Sequence, residues 1–246
     1  MSAAIEIRNL RKEFGNKAAV KNLTLTIPEG KLVSLLGVNG AGKTTTIRML
    51  TGLTSPTSGD AMVHGHSIVS ELSEVKKIGN LSPQETSVAP NLTVWENLVF
   101  IAGIYGFSKE ETRRRAEEMI ERMDLQEIRD VKAKTLSGGW QRRVSIAMAL
   151  ITDPKVLYLD EPTLGLDVLA RRDVWELIRV LKGKITILLT THYMDEAEKL
   201  SDYIAIMVKG ELVAEGTLEE LRRQTGCERL EDIFIAIATE GDGEHE

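Results

Sequence analysis

The stretch GVNGAGKTT, residues 37–45, limits what this chain can fold into more than any other. It fits the pattern G-x-x-x-x-G-K-[ST], follows the apolar run KLVSLL and precedes the amphipathic TTIRMLTGL. A buried strand that turns through glycines into a helix N-terminus makes a phosphate cradle. The glycines let successive backbone N–H groups curl around anionic oxygens, and the helix dipole adds positive potential there. Gly37, Asn39, Gly40, Ala41, Gly42 and Thr45 are the expected cradle. Lys43 would reach the β- and γ-phosphates, and the Thr44 hydroxyl suits Mg²⁺. This geometry belongs to α/β folds that bind ligands beyond the carboxyl ends of parallel strands.

Two further apolar runs, KVLYLD and ITILLT, have the continuous character of strands buried on both faces. The first ends in Asp160 and Glu161. Asp160 suits Mg²⁺, and Glu161 suits a general base acting on an attacking water. Taken alone, the pair also fits an ordinary charged strand end before a proline turn. His192 follows the second run and is placed either to sense a γ-phosphate or simply as a satisfied histidine. LTLTIP alternates Leu23, Leu25 and Ile27 and, with IEIRNL, predicts antiparallel strands near the N-terminus.

The segment from about Pro83 to Ile151 reads as a helical insertion between core strands. Thr93/Glu96 and Ser108/Glu111 have capping-box spacing. Gln84 stands where the insertion begins, and as a lone loop residue it reads as polar surface. The stretch ETSVAPNLTVWENL is apolar with few charges, as docking surfaces often are. Val94, Trp95 and Leu98 within it fit a core reading as well. Near the C-terminal end, Lys209-Gly210 predicts a hairpin turn, Thr217 an N-cap and Gly226 a helix stop. EGDGEHE, residues 240–246, carries no apolar residue and is expected to fray.

LSGGWQRR, residues 136–143, raises a question. Ser137, Gly138 and Gly139 stand before the helical pattern VSIAMAL and look like a second anion site, a hundred residues from the first.

Taken in order, GVNGAGKTT, Gln84, LSGG, VLYLDEP, the Gly165-Leu166-Asp167 turn and His192 resemble the ATP-binding subunits of ABC transporters, over about Ile5 to Thr239. The resemblance implies a P-loop NTPase core with a mainly parallel sheet. It adds an N-terminal antiparallel β subdomain and an inserted α-helical subdomain. Residues 1–83 and 152–225 would form the core, 84–151 the helical part and 226–246 a short extension of one domain. ATP and Mg²⁺ are the implied ligands. Phe14 matches the aromatic that stacks on adenine, with a core aromatic before a turn as the lesser alternative. Gln84 matches the glutamine that touches Mg²⁺ and the attacking water and couples the site to membrane subunits. Asp167 matches a turn facing the opposite subunit and can also cap the helix VLARRDVWELIRVL. Ser137, Gly138 and Gly139 match the signature that contacts the γ-phosphate held by a second subunit, expected to be another copy of the chain. That would explain two anion sites: two copies facing head to tail sandwich two ATP molecules. The pattern departs at Trp140, where the family has Gln or Met.

LTVWENLVFIAGIYGF, TTHYMDEAEKLSDYIAIMVKGELVAEGTLEEL and LEDIFIAIA resemble the small bacterial exporters of drugs, lipids, polysaccharide or sodium. The alternative, a soluble ABC ATPase acting on ribosomes, DNA or iron–sulfur assembly, lacks support in composition. With 31 basic and 37 acidic residues and a net charge of −6, the chain does not read as a nucleic-acid binder. One cysteine, Cys227, permits no internal disulfide and fits a reducing cytosol. MSAAIEIRNLRKEF has no run of leader length, and no stretch is long and apolar enough to span a bilayer. Transport therefore calls for an integral membrane permease, with this chain peripheral at the cytoplasmic face of the membrane.

Overall fold

The computed structural model describes residues 2–240. In chain order the elements begin with β1 (Ala3–Phe14), β2 (Lys17–Pro28), β3 (Leu32–Leu36), α1 (Lys43–Leu50), β4 (Ser58–Val63), β5 (His66–Ser67), α2 (Leu72–Ile78) and β6 (Gly79–Ser82). Three helices follow: α3 (Val94–Ile104), α4 (Lys109–Arg122) and α5 (Gly138–Leu150). The chain then runs through β7 (Val156–Asp160), α6 (Val168–Leu181), β8 (Thr186–Thr191), α7 (Met194–Leu200), β9 (Tyr203–Val208), β10 (Glu211–Gly216), α8 (Leu218–Thr225) and α9 (Leu230–Glu240).

Two sheets organise these elements. The first, in the order β2-β1-β4-β5, is antiparallel throughout. The second runs β10-β9-β3-β8-β7-β6; every pair is parallel except the β9–β10 hairpin. That hairpin turns through Lys209 and Gly210 with φ of 48° and 87°, the paired positive values of a type I′ turn.

The continuous apolar runs have a simple cause. In β7, Leu157 and Leu159 enter one core with the helices, while Val156 and Tyr158 enter another beneath the antiparallel sheet. Alternate residues of β8 divide the same way, Ile187 and Leu189 against Leu188. With both faces covered, no position on these strands is left for a polar residue facing water. A third core gathers Leu36, Ile204 and Ile206 with Leu221, Leu230, Ile233 and Phe234. It docks α9, so LEDIFIAIA is an ordered helix against α7 and α8. The expected frayed tail lies, after Glu240, outside the described residues.

Local signals place the helix starts. Thr93 and Glu96 form a reciprocal capping box, and Thr217 forms another with Glu220. Gly226 ends α8 with φ 72°. Ser108 makes only half a box. Its hydroxyl accepts from Glu111 N–H, but the Glu111 carboxylate turns to Arg114 and Arg115. Two guanidiniums hold a carboxylate better than one more backbone N–H. They also pull the Glu111 pKa down to about 2.

Val94 and Leu98 are wholly buried in the helical core. A helix packed that way presents those side chains to its neighbours, so they take no part in any docking surface. Among the described residues, no helix is long and apolar enough to cross a membrane.

Candidate functional site

In the second sheet β3, β8 and β7 are adjacent, with β6 next along, so four chemistry-bearing turns leave one edge together. Leu36 pairs with Thr191 and Asp160 with Thr190. This register sets the Gly37 turn, His192 and Glu161 side by side.

The Gly37–Gly42 turn feeds α1 without a side-chain cap and without an acidic residue in the helix's first turn. Gly37 N–H bonds Thr191 O and Ala41 N–H bonds Val38 O, and no acidic residue in the helix's first turn competes for an anion at the other N–H groups. Gly42 has φ 106°, and a Cβ there would lie 2.5 Å from Ala19 O, so both backbone conformation and space demand glycine. Lys43 is 4% exposed. Its Nζ donates to Gly37 O at 2.8 Å and Val38 O at 3.2 Å, and sits 3.2 Å from Glu161 Oε1. A buried ammonium needs such partners, and the same three contacts aim it at the cleft floor.

Asp160 is buried, and its Oδ1 accepts from Thr44 Oγ1 at 2.9 Å and from Thr190 Oγ1 at 2.6 Å. Glu161, next along, has left-handed backbone with φ 48°. This turn throws its side chain back over the strand end. Its N–H bonds Thr190 O and Thr190 Oγ1, which holds the unusual conformation. One carboxylate oxygen then faces Lys43 and the other lies 2.7 Å from His192 Nδ1. Lys43, Glu161 and His192 therefore form one continuous chain of contacts.

Lys43 and Glu161 floor an open cleft of about 460 Å³ walled by Phe14, Lys17, Ala19, residues Asn39 to Thr45, Gln84 and Leu164. Phe14 is 56% exposed, and Lys12 Nζ lies 5.0 Å from its ring centroid. It is therefore not a core aromatic. Gln84 is exposed and lines the same cleft. Gly37, Asp160 and His192 do not line the cleft; they contact Lys43, Thr44 and Glu161, which do.

Ser137, Gly139 and Asp167 lie elsewhere. With Trp140, Arg143 and Leu169 they line a separate cleft of about 220 Å³, and the two linings share no residue. Gly138 and Gly139 are already helical, so α5 starts earlier than VSIAMAL, with Ser137 at its N-cap. A Cβ on Gly139 would lie 2.9 Å from Ala170 Cβ, so glycine there lets α5 and α6 meet closely. Asp167 Oδ1 caps α6 through Leu169 and Ala170 N–H, both at 2.9 Å. The Arg143 guanidinium lies 5.0 Å from the Trp140 ring centroid.

Sequence reasoning missed Thr190, the second hydroxyl on Asp160; its one signal was polarity at the end of an apolar strand. It also missed Arg142 and Glu196. Burial lowers the Arg142 pKa and raises that of the Glu196 carboxyl, which accepts from Thr163 and Trp175.

Comparison with known proteins agrees with this geometry. The ABC transporter family model matches residues 20–164. The mouse phospholipid-transporting ATPase ABCA3 is 45% identical over 92% of this chain, which spans only 13% of that protein's length. The Nod factor export ATP-binding protein I of Cupriavidus metallidurans is 40% identical over 94% of this chain and 77% of its own. Among solved structures, a dimeric post-hydrolysis state of an ATP-binding cassette bound to ADP and Pi superposes with TM-score 0.76 at 29% identity, covering 87% of this chain and 98% of that one. The chain belongs to the ABC transporter family, as an ATP-binding and ATP-hydrolysing domain.

Proposed function

We propose that the chain binds Mg-ATP in the Phe14–Lys43–Gln84 cleft, that two copies close head to tail over two nucleotides, and that hydrolysis drives export through a separate integral membrane permease. The observation that carries this reading is the presence of two helix N-termini, α1 and α5, each without an acidic residue in its first turn and each lining a different cleft of one chain. A signature cleft with its own anion-binding start and no share in the first cleft is usable by a neighbour's phosphate.

Within the first cleft the roles follow from contacts. Phe14 offers an exposed face to adenine. The Asn39–Thr45 backbone and Lys43 take the phosphates, with the γ-phosphate displacing Glu161 from Lys43. Glu161 then serves as general base on water, its second oxygen held by His192. Thr44, Asp160 and Gln84 would hold Mg²⁺. The donors fit: they are all oxygens, and no cluster of three acidic, His or Cys ligands exists among the described residues. Mg²⁺ at nucleotide sites takes one or two carboxylates plus phosphate oxygens instead of an all-protein cage. When bound it neutralises charge on the phosphate oxygens.

Residues 1–83 and 152–225 would act as the ATP-binding core, 84–151 as the unit that turns closure into movement, and 226–246 as an extension. The permease would sit on the groove lined by Pro83, Ser87, Ile101 and Tyr105, beside Phe100 and Ile104, which are 56% and 63% exposed. This sets the chain at the cytoplasmic face of the membrane. Export is supported by the Nod factor export relative.

Glu161→Gln tests the reading. The amide keeps size and hydrogen bonding but accepts no proton. Turnover should fall roughly 10²-fold or more, with ATP converting the protein to a stable dimer in size-exclusion chromatography. Normal turnover, or a monomer at saturating Mg-ATP, would overturn it. Co-purification with a multispanning protein tests the permease.

A further inference from the structure

We propose that Arg142 is a positioning residue that fixes Gln84 to the signature helix, so that a displacement of α5 displaces Gln84 with it. This deepens the reading above and rests on the role given there to Gln84.

The proposal stems from how α5 lies against β6 and its continuation. Asn80 Nδ2 donates to Ala149 O at 2.9 Å, and Ser82 Oγ meets Ser145 Oγ at 3.0 Å. Arg142 donates from Nη1 to Pro83 O at 2.6 Å and from Nη2 to Gln84 O. Alternate residues on the extended segment thus meet α5 at positions three and four apart. That spacing is one helix face set against one strand face. The first two links fall within regular structure. The third falls where β6 has ended and the chain has no ladder partner of its own.

Arg142 is 4% exposed, and among the described residues no carboxylate hydrogen-bonds its guanidinium. Asp160 and Glu196 act on it only as more distant charges. Burying a cation against two carbonyls is costly, and an apolar residue of similar volume would fill the space at least as stably. The fork does what an apolar side chain cannot do: it grips two successive carbonyls at once. Those carbonyls belong to Gln84 and the residue before it. Five residues back along the chain from Arg142 is Ser137. The neighbouring Gln141 binds Ala133 O and Leu136 O, the segment leading into Ser137. Adjacent side chains of one helical turn therefore hold both loops, one for each cleft.

The test compares Arg142→Met, Arg142→Lys, Gln84→Ala and the Arg142→Met/Gln84→Ala double variant in the full chain, with Mg-ATP as the probe. Arg142→Met keeps the volume and removes the fork, so thermal melting should stay near wild type. We expect both Arg142 variants to lower kcat about tenfold or more, to raise the Mg²⁺ concentration for half-maximal turnover, and to leave KM for ATP within twofold. Lysine should not rescue, since its ammonium ends one bond short of the two Nη atoms that reach Pro83 O and Gln84 O. The double variant should be no slower than Gln84→Ala, because both changes remove the same positioned group. If Gln84→Ala is impaired and Arg142→Met multiplies that loss, or leaves turnover and Mg²⁺ dependence at wild-type values, Arg142 does not act through Gln84. If Gln84→Ala itself behaves as wild type, the role of Gln84 falls and this inference falls with it. Should Arg142→Met melt early, hydrogen exchange on Arg142→Lys decides. Faster exchange confined to residues 83–88 supports the clamp, and unchanged exchange there overturns it.

Discussion

Replacing Asn97 by aspartate should cost about 5 kcal/mol at pH 7, and much less in acid. Asn97 is wholly buried at the start of α3 and holds the segment that leads from Gln84 into the helix. Its Oδ1 accepts from Ala89 N–H at 2.8 Å. Its Nδ2 donates to Thr93 O at 2.8 Å and to Ala89 O at 3.2 Å, with a longer contact to Leu92 O at 3.4 Å. Aspartate has the same shape, yet when ionised it turns an oxygen toward those carbonyls and donates nothing. The folded protein can escape only by keeping the introduced carboxyl protonated. Between its ordinary pKa of about 3.9 and pH 7 that costs about 1.4 kcal/mol per unit, about 4 kcal/mol in all. One donor is still lost, at about 1 kcal/mol. The folded-state pKa is raised, so the folded chain binds more protons than the unfolded chain and stability falls as pH rises above about 4. Urea unfolding of Asn97→Asp and wild type at pH 5, 6 and 7 should show a gap that widens by about 1.4 kcal/mol per unit. A gap below about 1 kcal/mol that does not change with pH would refute the reasoning.

Other expectations are simpler. Tyr158→Phe should stabilise the protein by about 1 kcal/mol, raising Tm by about 2–4 °C, because the buried Tyr158 hydroxyl has no hydrogen-bond partner among the described residues; a lower Tm would mean the hydroxyl is satisfied. Burial raises the Glu196 pKa, so wild-type stability is eroded as pH rises above about 4.5, by at most about 1.4 kcal/mol per unit. Glu196→Gln, with no proton to lose, should gain on wild type between pH 5 and 8 in chemical unfolding, and a constant difference would contradict this. Lys43→Ala should abolish tight Mg-ATP binding in calorimetry, and near-normal affinity would rule out the assigned cradle.

Legibility in the sequence followed the range of the forces involved. The cradle, the Asp160-Glu161 strand end and the caps at Thr93, Asp167 and Thr217 are set by residues within a few positions of one another, and all could be read. The central strands were visible because burial on both faces leaves an unbroken apolar run. β4, β5 and β6 were not. SGDAMV buries little beyond Ala61 and Val63, and GNLS buries Asn80 and Ser82, whose partners Ala149 and Ser145 are more than sixty residues away. Arg142 and Glu196 were silent for the same reason. Each looks like a surface charge on an amphipathic helix until the fold supplies Pro83 and Gln84 to one, and Thr163 and Trp175 to the other. Ser137 could be read locally as a second anion site, but its service to a neighbour's nucleotide was an expectation from resemblance only, since nothing local distinguishes a helix start that binds its own chain's ligand from one that binds a neighbour's.

That last point is the centre of the account, and mixing two inactive variants tests it directly. Lys43→Ala removes the proposed phosphate-pairing cation, and Ser137→Arg puts a bulky cation on the proposed signature face. If each site joins Lys43 of one copy to Ser137 of the other, a mixed dimer carries one doubly damaged site and one intact site. Random pairing makes about half the dimers mixed, each with one good site of two, so turnover should recover to about one quarter of wild type. ATP trapping measured in the same mixture covers the case in which one intact site binds but cannot turn over alone. Recovery of turnover, or of trapped ATP, is the predicted result. Neither, with mixed dimers demonstrated by crosslinking, would contradict the shared site.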